Sequence, residues 1–241
     1  MLGLRHKLPK TFFKGACDIH CHLLPGVDDG FPTLEKSLRA LQVLEGLGFE
    51  QMLLTPHFMK EYPDNNRANI KTKFEAFKAE AEKVSGIRLG LAAEYMLDAQ
   101  FMSHFGQGFL TLGKGRHVLC ETSYMMFERD ASSMLYEIML EGFQPVIAHP
   151  ERYEYATKDR YEKWKDKHFK FQLNLLSLAG AYGKPAKVKA GHLLRSGYYD
   201  FVGTDMHRLE HFERHVRALR VSHKERERLE ELMENNKKLF L

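Results

Sequence analysis

Hydrophobic and polar positions follow a repeating order along this chain: a helical stretch, a glycine, a short apolar run, then a side chain bearing nitrogen or oxygen. Leu34, Leu38, Leu41 and Leu44 recur at helical spacing and predict a helix over 34–47, with Thr33 as N-cap and Gly46 or Gly48 ending it. Phe74, Phe77, Ala81 and Val84 predict a second helix over about 70–84, and others are expected over about 131–141, 155–167 and 182–196. Residues 212–238 read as one long charged helix, buried along Val216, Leu219, Leu229, Leu232 and Met233. Between the helices, the apolar runs 15–20, 49–55, 87–93, 117–120, 143–148, 169–175 and 199–203 read as seven strands. Regular alternation of this kind favours a parallel α/β architecture. A length of 241 residues suits one barrel-sized domain, taken as 15–241 behind an N-terminal arm over 1–14.

The chemistry collects where the apolar runs end. In the stretch 15–30, GACDIHCHLLPGVDDG, His20 and His22 stand at i and i+2, so an extended backbone points both rings to one side. Asp28 and Asp29 follow across a Pro-Gly turn, and Asp18 either joins the histidines or orients one ring from behind. His20, His57, Glu94, Glu121, His149 and Asp205 all fall at the carboxyl ends of predicted strands, the face on which barrel enzymes assemble their sites. Asp205 and His207, in GTDMHR, repeat the i, i+2 spacing of His20 and His22. Taken singly, His57 also reads as a surface histidine, and Glu94 and Glu121 as rim carboxylates in salt bridges. Together with Asp29, the nine donors exceed what one ion needs and suffice for a multinuclear site with bridging carboxylates.

Composition narrows the class. The chain is 44% hydrophobic and 28% charged, as an ordinary globular protein is, and its net charge of +4 points to no particular partner. No basic tract alternates with aromatics, so nucleic acid is not an expected partner. The three cysteines form no CxxC pair and suggest no disulfide framework, which favours a reducing, cytoplasmic setting. No run is long and apolar enough for an integral membrane segment. A cysteine-dependent phosphatase needs Cys-x5-Arg, yet Leu23, Val27 and Met126 stand six positions after Cys17, Cys21 and Cys120. No GxxxxGK[ST] phosphate loop is present either.

Through DIHCHLLPGVDDG, TPH, AAEY, CETS, IAHPERY and GTDMH, in that order over about 15–211, the sequence resembles the polymerase and histidinol phosphatase superfamily. Within it, the likeness is to the bacterial metal-dependent protein tyrosine phosphatases associated with capsule and exopolysaccharide synthesis. The resemblance implies a distorted seven-stranded TIM-like α/β barrel with a metal centre at the C-terminal strand ends. By the same resemblance, His20, His22, Glu94 and Asp205 would hold a first ion, Glu94, Glu121 and His149 a second, and Asp29, His57 and His207 a third. Three divalent ions are implied, manganese being the expected metal and iron, zinc or magnesium the alternatives. They would outweigh the four ligand carboxylates, leaving a positive cavity suited to phosphate and to a metal-activated hydroxide.

The implied reaction is hydrolysis of protein phosphotyrosine, regulating polysaccharide synthesis or export. Its implied partner is a phosphotyrosine-bearing tail, such as that of a polysaccharide-export tyrosine kinase. Arg152, in HPERY, is the leading phosphate clamp, with a salt bridge to Glu151 or Glu154 as the alternative. Arg208 is the second candidate, or Arg214 if the segment after it curls back; here the chain lacks the family's usual Asn after His207 and its nearby Arg-Pro. Tyr62, Tyr124 and Tyr153 are expected either to shape an aromatic mouth or to pack at its rim. Two rival functions remain. A small-molecule phosphoesterase, acting on histidinol phosphate or nucleotides, calls for a narrow mouth closed by 62–69 and 153–161. A noncatalytic regulatory module would use the metals for stability alone.

Overall fold

The computed structural model describes residues 4–125 and 131–240, so the first three residues of the expected arm and the final residue of the domain lie outside the described residues. Its strands are β1 (His6–Lys7), β2 (Ala16–Cys21), β3 (Phe49–Leu54), β4 (His57–Phe58), β5 (Arg88–Leu91), β6 (Glu94–Met96), β7 (His117–Glu121), β8 (Gln144–Ala148), β9 (Lys170–Asn174), β10 (Phe201–Gly203) and β11 (Arg220–Val221). The α-helices are α1 (Leu34–Leu47), α2 (Arg67–Ala81), α3 (Ala131–Leu140), α4 (Lys158–Asp166), α5 (Gly183–Arg195), α6 (Leu209–Ala218) and α7 (His223–Phe240).

Two parallel sheets, β2-β3-β5 and β10-β9-β8-β7-β6-β4, together supply seven strand positions of a distorted barrel. The sheets part where one strand run breaks at Thr55-Pro56 and its neighbour at Ala92-Ala93. Proline has no N–H to give the ladder there. Backbone bonds from Ala92 to Leu54 (2.8 Å) and from Glu94 to Pro56 (3.1 Å) carry the pairing across the break. At the other seam, Asp205 N–H donates to His20 C=O (2.7 Å) and His22 N–H to Met206 C=O (3.0 Å), joining the last position to the first.

Ile19, Leu53, Leu119, Val146, Ala148 and Phe201 from successive strands fill the barrel with Cys17 and Leu239, while a larger apolar layer lies between strands and helices. Burial on both faces is why these strands read as continuous apolar runs. Helix α1 begins where the sequence places it: Thr33 accepts from Lys36 N–H, and Gly48, at φ 105°, ends the helix in a left-handed turn.

The single long helix expected over 212–238 is a pair, α6 and α7, broken at Leu219. Leu219 is extended and fully buried, β11 pairs antiparallel with β1, and Ser222 and Glu225 form a reciprocal capping box that starts α7. The arm is pinned by the same pairing, by Arg5 on Glu225 at 2.8 Å, and by Phe13 stacked on Phe49 at 4.8 Å. Among the described residues, no helix is long and apolar enough to cross a membrane.

Helix α7 seals the seam between β2 and β10. The Asn236 amide donates to Cys17 C=O (2.8 Å) and Val202 C=O (2.6 Å), and its oxygen accepts from Val202 N–H (3.3 Å). Asn236→Leu strands these buried backbone groups and is expected to lower stability by about 2–4 kcal/mol. A urea midpoint that falls with unchanged slope is the expected result; an unmoved midpoint would mean the seam holds without this clamp.

Candidate metal centre

Eight of the nine donors lie in or just beyond the strand runs, and Asp29 lies on the loop that follows β2. His20 lies on β2 and His22 just beyond it; His57 opens β4 opposite Glu94 of β6; Glu121 ends β7; His149 follows β8; Asp205 and His207 follow β10. The structure brings all nine residues together in three overlapping groups: His22, Asp29, His57 and His207; His20, Glu94, His149 and Asp205; and His57, Glu94 and Glu121. Within each group the donor atoms lie within 4.8 Å of one another.

The tightest convergence crosses those groups. His20 Nε2 and His22 Nε2 are 3.3 Å apart, and each stands 3.1–3.4 Å from both Glu94 Oε2 and Asp205 Oδ1. Spacings of about 3.3–3.4 Å are those of four ligands around one ion at about 2.0–2.1 Å. Beside this group, Glu94 Oε1 meets His149 Nε2 at 3.0 Å, with Glu121 Oε2 3.9 Å from the same nitrogen. His57 stands between the remaining donors. Its Nδ1 is 3.2 Å from Glu94 Oε2 and 3.1 Å from Glu121 Oε1, while its Nε2 is 3.5 Å from Asp29 Oδ1. His207 Nε2 reaches the same Asp29 oxygen at 3.3 Å.

Polar atoms without an aligned hydrogen-bond partner test whether this set fits cations. Glu94 Oε2, Asp205 Oδ1, Glu121 Oε1, His57 Nδ1 and His149 Nδ1 are all buried without one. Unsatisfied buried polar atoms are rare in folded proteins. Here four of the five are atoms of the close convergence just described, and the mixed imidazole and carboxylate set suits divalent ions. The residues fit a multi-metal centre.

The charges are arranged to match. Burial opposes protonation of His20 and His22, yet Glu94 and Asp205 beside the first, and Asp28 beside the second, hold both above the usual imidazole range. Burial likewise opposes ionisation of Glu94 and Asp205, and the surrounding histidines override it. Burial and His22 also resist charge on His57, which Asp29 and Glu121 nevertheless raise to about 10. Cations bound here would displace protons from the imidazoles.

Further residues support the donors from behind. Gln172 Oε1 accepts from His20 Nδ1, and Asp28 Oδ2 from His22 Nδ1, each at 2.9 Å, so both Nε2 atoms face inward. Asp28 was visible beside Asp29 in VDDG; Gln172 had no local signal. Asp18 neither joins the donors nor orients a ring: it accepts from Thr204 Oγ1 and N–H and from His20 N–H. Gly203 permits the close passage of β10 beside β2, since a Cβ there would lie 2.6 Å from His20 Cβ. His149 (φ 33°) and Asp205 (φ 50°) hold left-handed backbone, uncommon outside glycine and typical of constrained sites.

Both expected arginines line one pocket of about 350 Å³, together with Asp29, Tyr182, Asp205, His207 and His211. Arg152 pairs with Asp205 Oδ2 at 2.6 Å rather than with Glu151 or Glu154. Glu151 is taken up by Asn174 N–H, Ser177 and Tyr199. Arg208 Nη1 donates to the carbonyls of Asp29, Gly30 and His207, tying the Asp29 turn to the β10 segment. Tyr153 is not at a mouth: it is fully buried, donating to Ala148 C=O and accepting from Thr122 N–H. Tyr62 stacks against His57 with centroids 6.2 Å apart, and Tyr124 donates to Glu121 Oε2 at 3.3 Å.

Known proteins resemble this chain over most of its length. Tyrosine-protein phosphatase YwqE of Bacillus subtilis is 27% identical over 219 residues, spanning 86% of this chain and 84% of that protein. Tyrosine-protein phosphatase CpsB of Streptococcus pneumoniae is 28% identical over 203 residues, spanning 80% and 83%. In fold, the chain matches a crystal structure from work on YwqE of B. subtilis and CpsB of S. pneumoniae, described as unique metal-dependent tyrosine phosphatases. The TM-score is 0.79 at 24% identity, covering 93% of this chain and 94% of that one. A more distant fold match is the phosphotriesterase homology protein of Escherichia coli, solved with phosphate in its active site. There the TM-score is 0.57 at 14% identity, covering 97% and 100%. Residues 16–240 match the family described as capsular polysaccharide synthesis, CpsB/CapC, and this chain belongs to that family.

Proposed function

We propose that this protein is a metal-dependent phosphatase that hydrolyses phosphotyrosine on a protein and so regulates polysaccharide synthesis or export. The observation that carries the reading is the convergence of His20 Nε2, His22 Nε2, Glu94 Oε2 and Asp205 Oδ1 beside a pocket lined by two arginines. Membership of a capsular-polysaccharide family supports the setting, and the names of the relatives support the substrate class.

In this reading His20, His22, Glu94 and Asp205 hold one ion, Glu94, Glu121 and His149 a second, and Asp29, His57 and His207 a third. His57, facing Glu94 and Glu121 through one nitrogen and Asp29 through the other, links the second group to the third. Manganese is the proposed metal, with iron, zinc and magnesium as alternatives that the same donors accept. Bound there, divalent ions supply Lewis acidity toward phosphoryl oxygens and lower the pKa of water at the site.

The chain's own residues do the rest. Arg152 offers its remaining guanidinium donors to phosphate oxygens, and Arg208 fixes the turn that presents Asp29. A phenol, with a reference pKa of about 10, leaves with less proton assistance than an aliphatic alcohol. Among the described residues, neither 62–69 nor 153–161 lines the arginine pocket, and Tyr62 borders the donors at His57 instead. The proposed substrate is a phosphotyrosine-bearing tail, such as that of a polysaccharide-export tyrosine kinase, and the proposed compartment is the cytoplasm.

No cysteine takes part. Burial pushes Cys17 up to about 12 and raises Cys21 and Cys120 well above the ordinary thiol range. All three therefore stay protonated and unreactive at neutral pH.

Three measurements test these statements. Metal-stripped protein should release no phosphate from tyrosyl phosphopeptides, regain turnover with manganese, and remain weak on histidinol phosphate and nucleotide monophosphates. Turnover confined to the metabolites would remove the tyrosine-phosphatase assignment. Asp28→Ala, which frees the His22 ring, should lower metal affinity by about 10–100-fold in a chelator competition, and unchanged affinity would deny the residue its orienting role. Iodoacetamide should leave the native enzyme active and unmodified by mass, labelling all three thiols only after unfolding; rapid inactivation would reopen a thiol mechanism.

A further inference from the structure

Arg152 is held on three sides. Its guanidinium carbon lies 4.0 Å from the centroid of the Tyr182 ring and 4.4 Å from that of Tyr124. Its Nη1 donates to Asp205 Oδ2 at 2.6 Å, and its other side-chain N–H groups have no hydrogen-bond partner among the described residues. Asp205 Oδ2 also accepts from Asn174 Nδ2 at 3.0 Å, and that same nitrogen donates to the Tyr182 hydroxyl at 3.0 Å. Tyr182, Asn174, Asp205 and Arg152 thus form a closed circuit of three hydrogen bonds and one cation–π contact. The circuit is anchored from behind: Asn174 N–H donates to the buried carboxylate of Glu151 at 3.0 Å, and Asn174 Oδ1 accepts from Leu176 N–H at 2.9 Å.

We infer that Tyr182 and Asn174 are positioning residues for the phosphoryl group, acting through Arg152. The inference rests on the phosphatase reading for what Arg152 grips. A guanidinium binds two phosphate oxygens only when its plane is aligned with them. The two rings, 4.0 and 4.4 Å from the guanidinium carbon, restrict rotation of the plane, and the Asp205 bond stops the side chain from swinging out. The free in-plane donors are left for an anion. Asn174 ties this clamp to the carboxylate whose other oxygen, Oδ1, stands among the His20 and His22 nitrogens, so the grip on phosphate and the donor cluster keep a fixed relation. The tyrosine is half-buried and lines the arginine pocket, where it can act on a bound anion only through Arg152 or by direct contact.

The deciding experiment measures inorganic phosphate binding to manganese-loaded protein by calorimetry, alongside kcat and KM for a tyrosyl phosphopeptide. Tyr182→Leu should weaken phosphate binding about tenfold and raise KM more than it lowers kcat. Tyr182→Phe keeps the stacked ring and loses only the Asn174 bond, so it should recover most of that loss; it also carries the test should the leucine variant fail to fold. In an Arg152→Ala background, Tyr182→Leu should add less than about a twofold further loss. Phosphate affinity indifferent to Tyr182, or losses that simply multiply in the double variant, would overturn the inference. Phosphate binding that depends on Tyr182 in a protein without phosphopeptide turnover would uphold the inference and remove the tyrosine-phosphatase reading. Peptide turnover with Tyr182-independent phosphate binding would do the reverse.

Discussion

Two backbone hydrogen bonds, Asp205 N–H to His20 C=O and His22 N–H to Met206 C=O, decide whether this molecule has a site at all. They draw the first and last barrel positions together at their carboxyl ends, so that the pair His20 and His22 faces the pair Asp205 and His207. Everything near the seam serves that approach. Gly203 removes the side chain that would block it, Thr204 bonds to Asp18 beneath it, and Asn236 fastens it from α7. Each such bond contributes only about 1 kcal/mol net. Their joint effect is geometric: four donor atoms are held from strand ends instead of from mobile loops.

What the seam assembles is electrostatically demanding. Glu94, Asp205, His20 and His22 are all buried, and burial opposes the charge on each of them. Mutual attraction overrides that cost without aligning every polar atom, as the orphaned oxygens of Glu94 and Asp205 show. Buried charges of this kind seldom favour folding over well-packed apolar residues of equal size. Their presence is explained by what they can hold, and cation binding then contributes to the free energy of the folded state.

Features with a local cause were legible in the sequence. Apolar runs leading to His57, Glu94, Glu121 and His149 could be read because each run is short and its polar residue lies at its end or within three residues of it. Helix α1 was legible to the residue because Thr33 and Gly48 bound it chemically. The break at Leu219 was not, since Val216, Leu219 and Leu229 fit one helical stripe; the overlooked signal was Ser222-x-x-Glu225, a capping box inside an apparently continuous helix. Composition alone places Tyr153 at a mouth or its rim, but neighbouring side chains on a tight turn point different ways and this one enters the core. Gln172 and Tyr182 owe their roles to contacts with distant residues, which no spacing rule reveals.

The seam also sets an order of events. Thr204 and Asp18 are 186 positions apart, and Asn236 and Cys17 are 219 apart. Contacts of such separation form late, because the entropy of closing the intervening loop is lost before any contact energy is gained. A chain still emerging from the ribosome therefore carries His20 and His22 for a long interval before Asp205 and His207 exist to complete the cage. During that interval seven of the nine donors are already present, but the group around His20 and His22 lacks Asp205 and the group around Asp29 lacks His207. Barrel closure would thus complete those two groups last, so that their full ligand sets exist only in a chain whose ends have met.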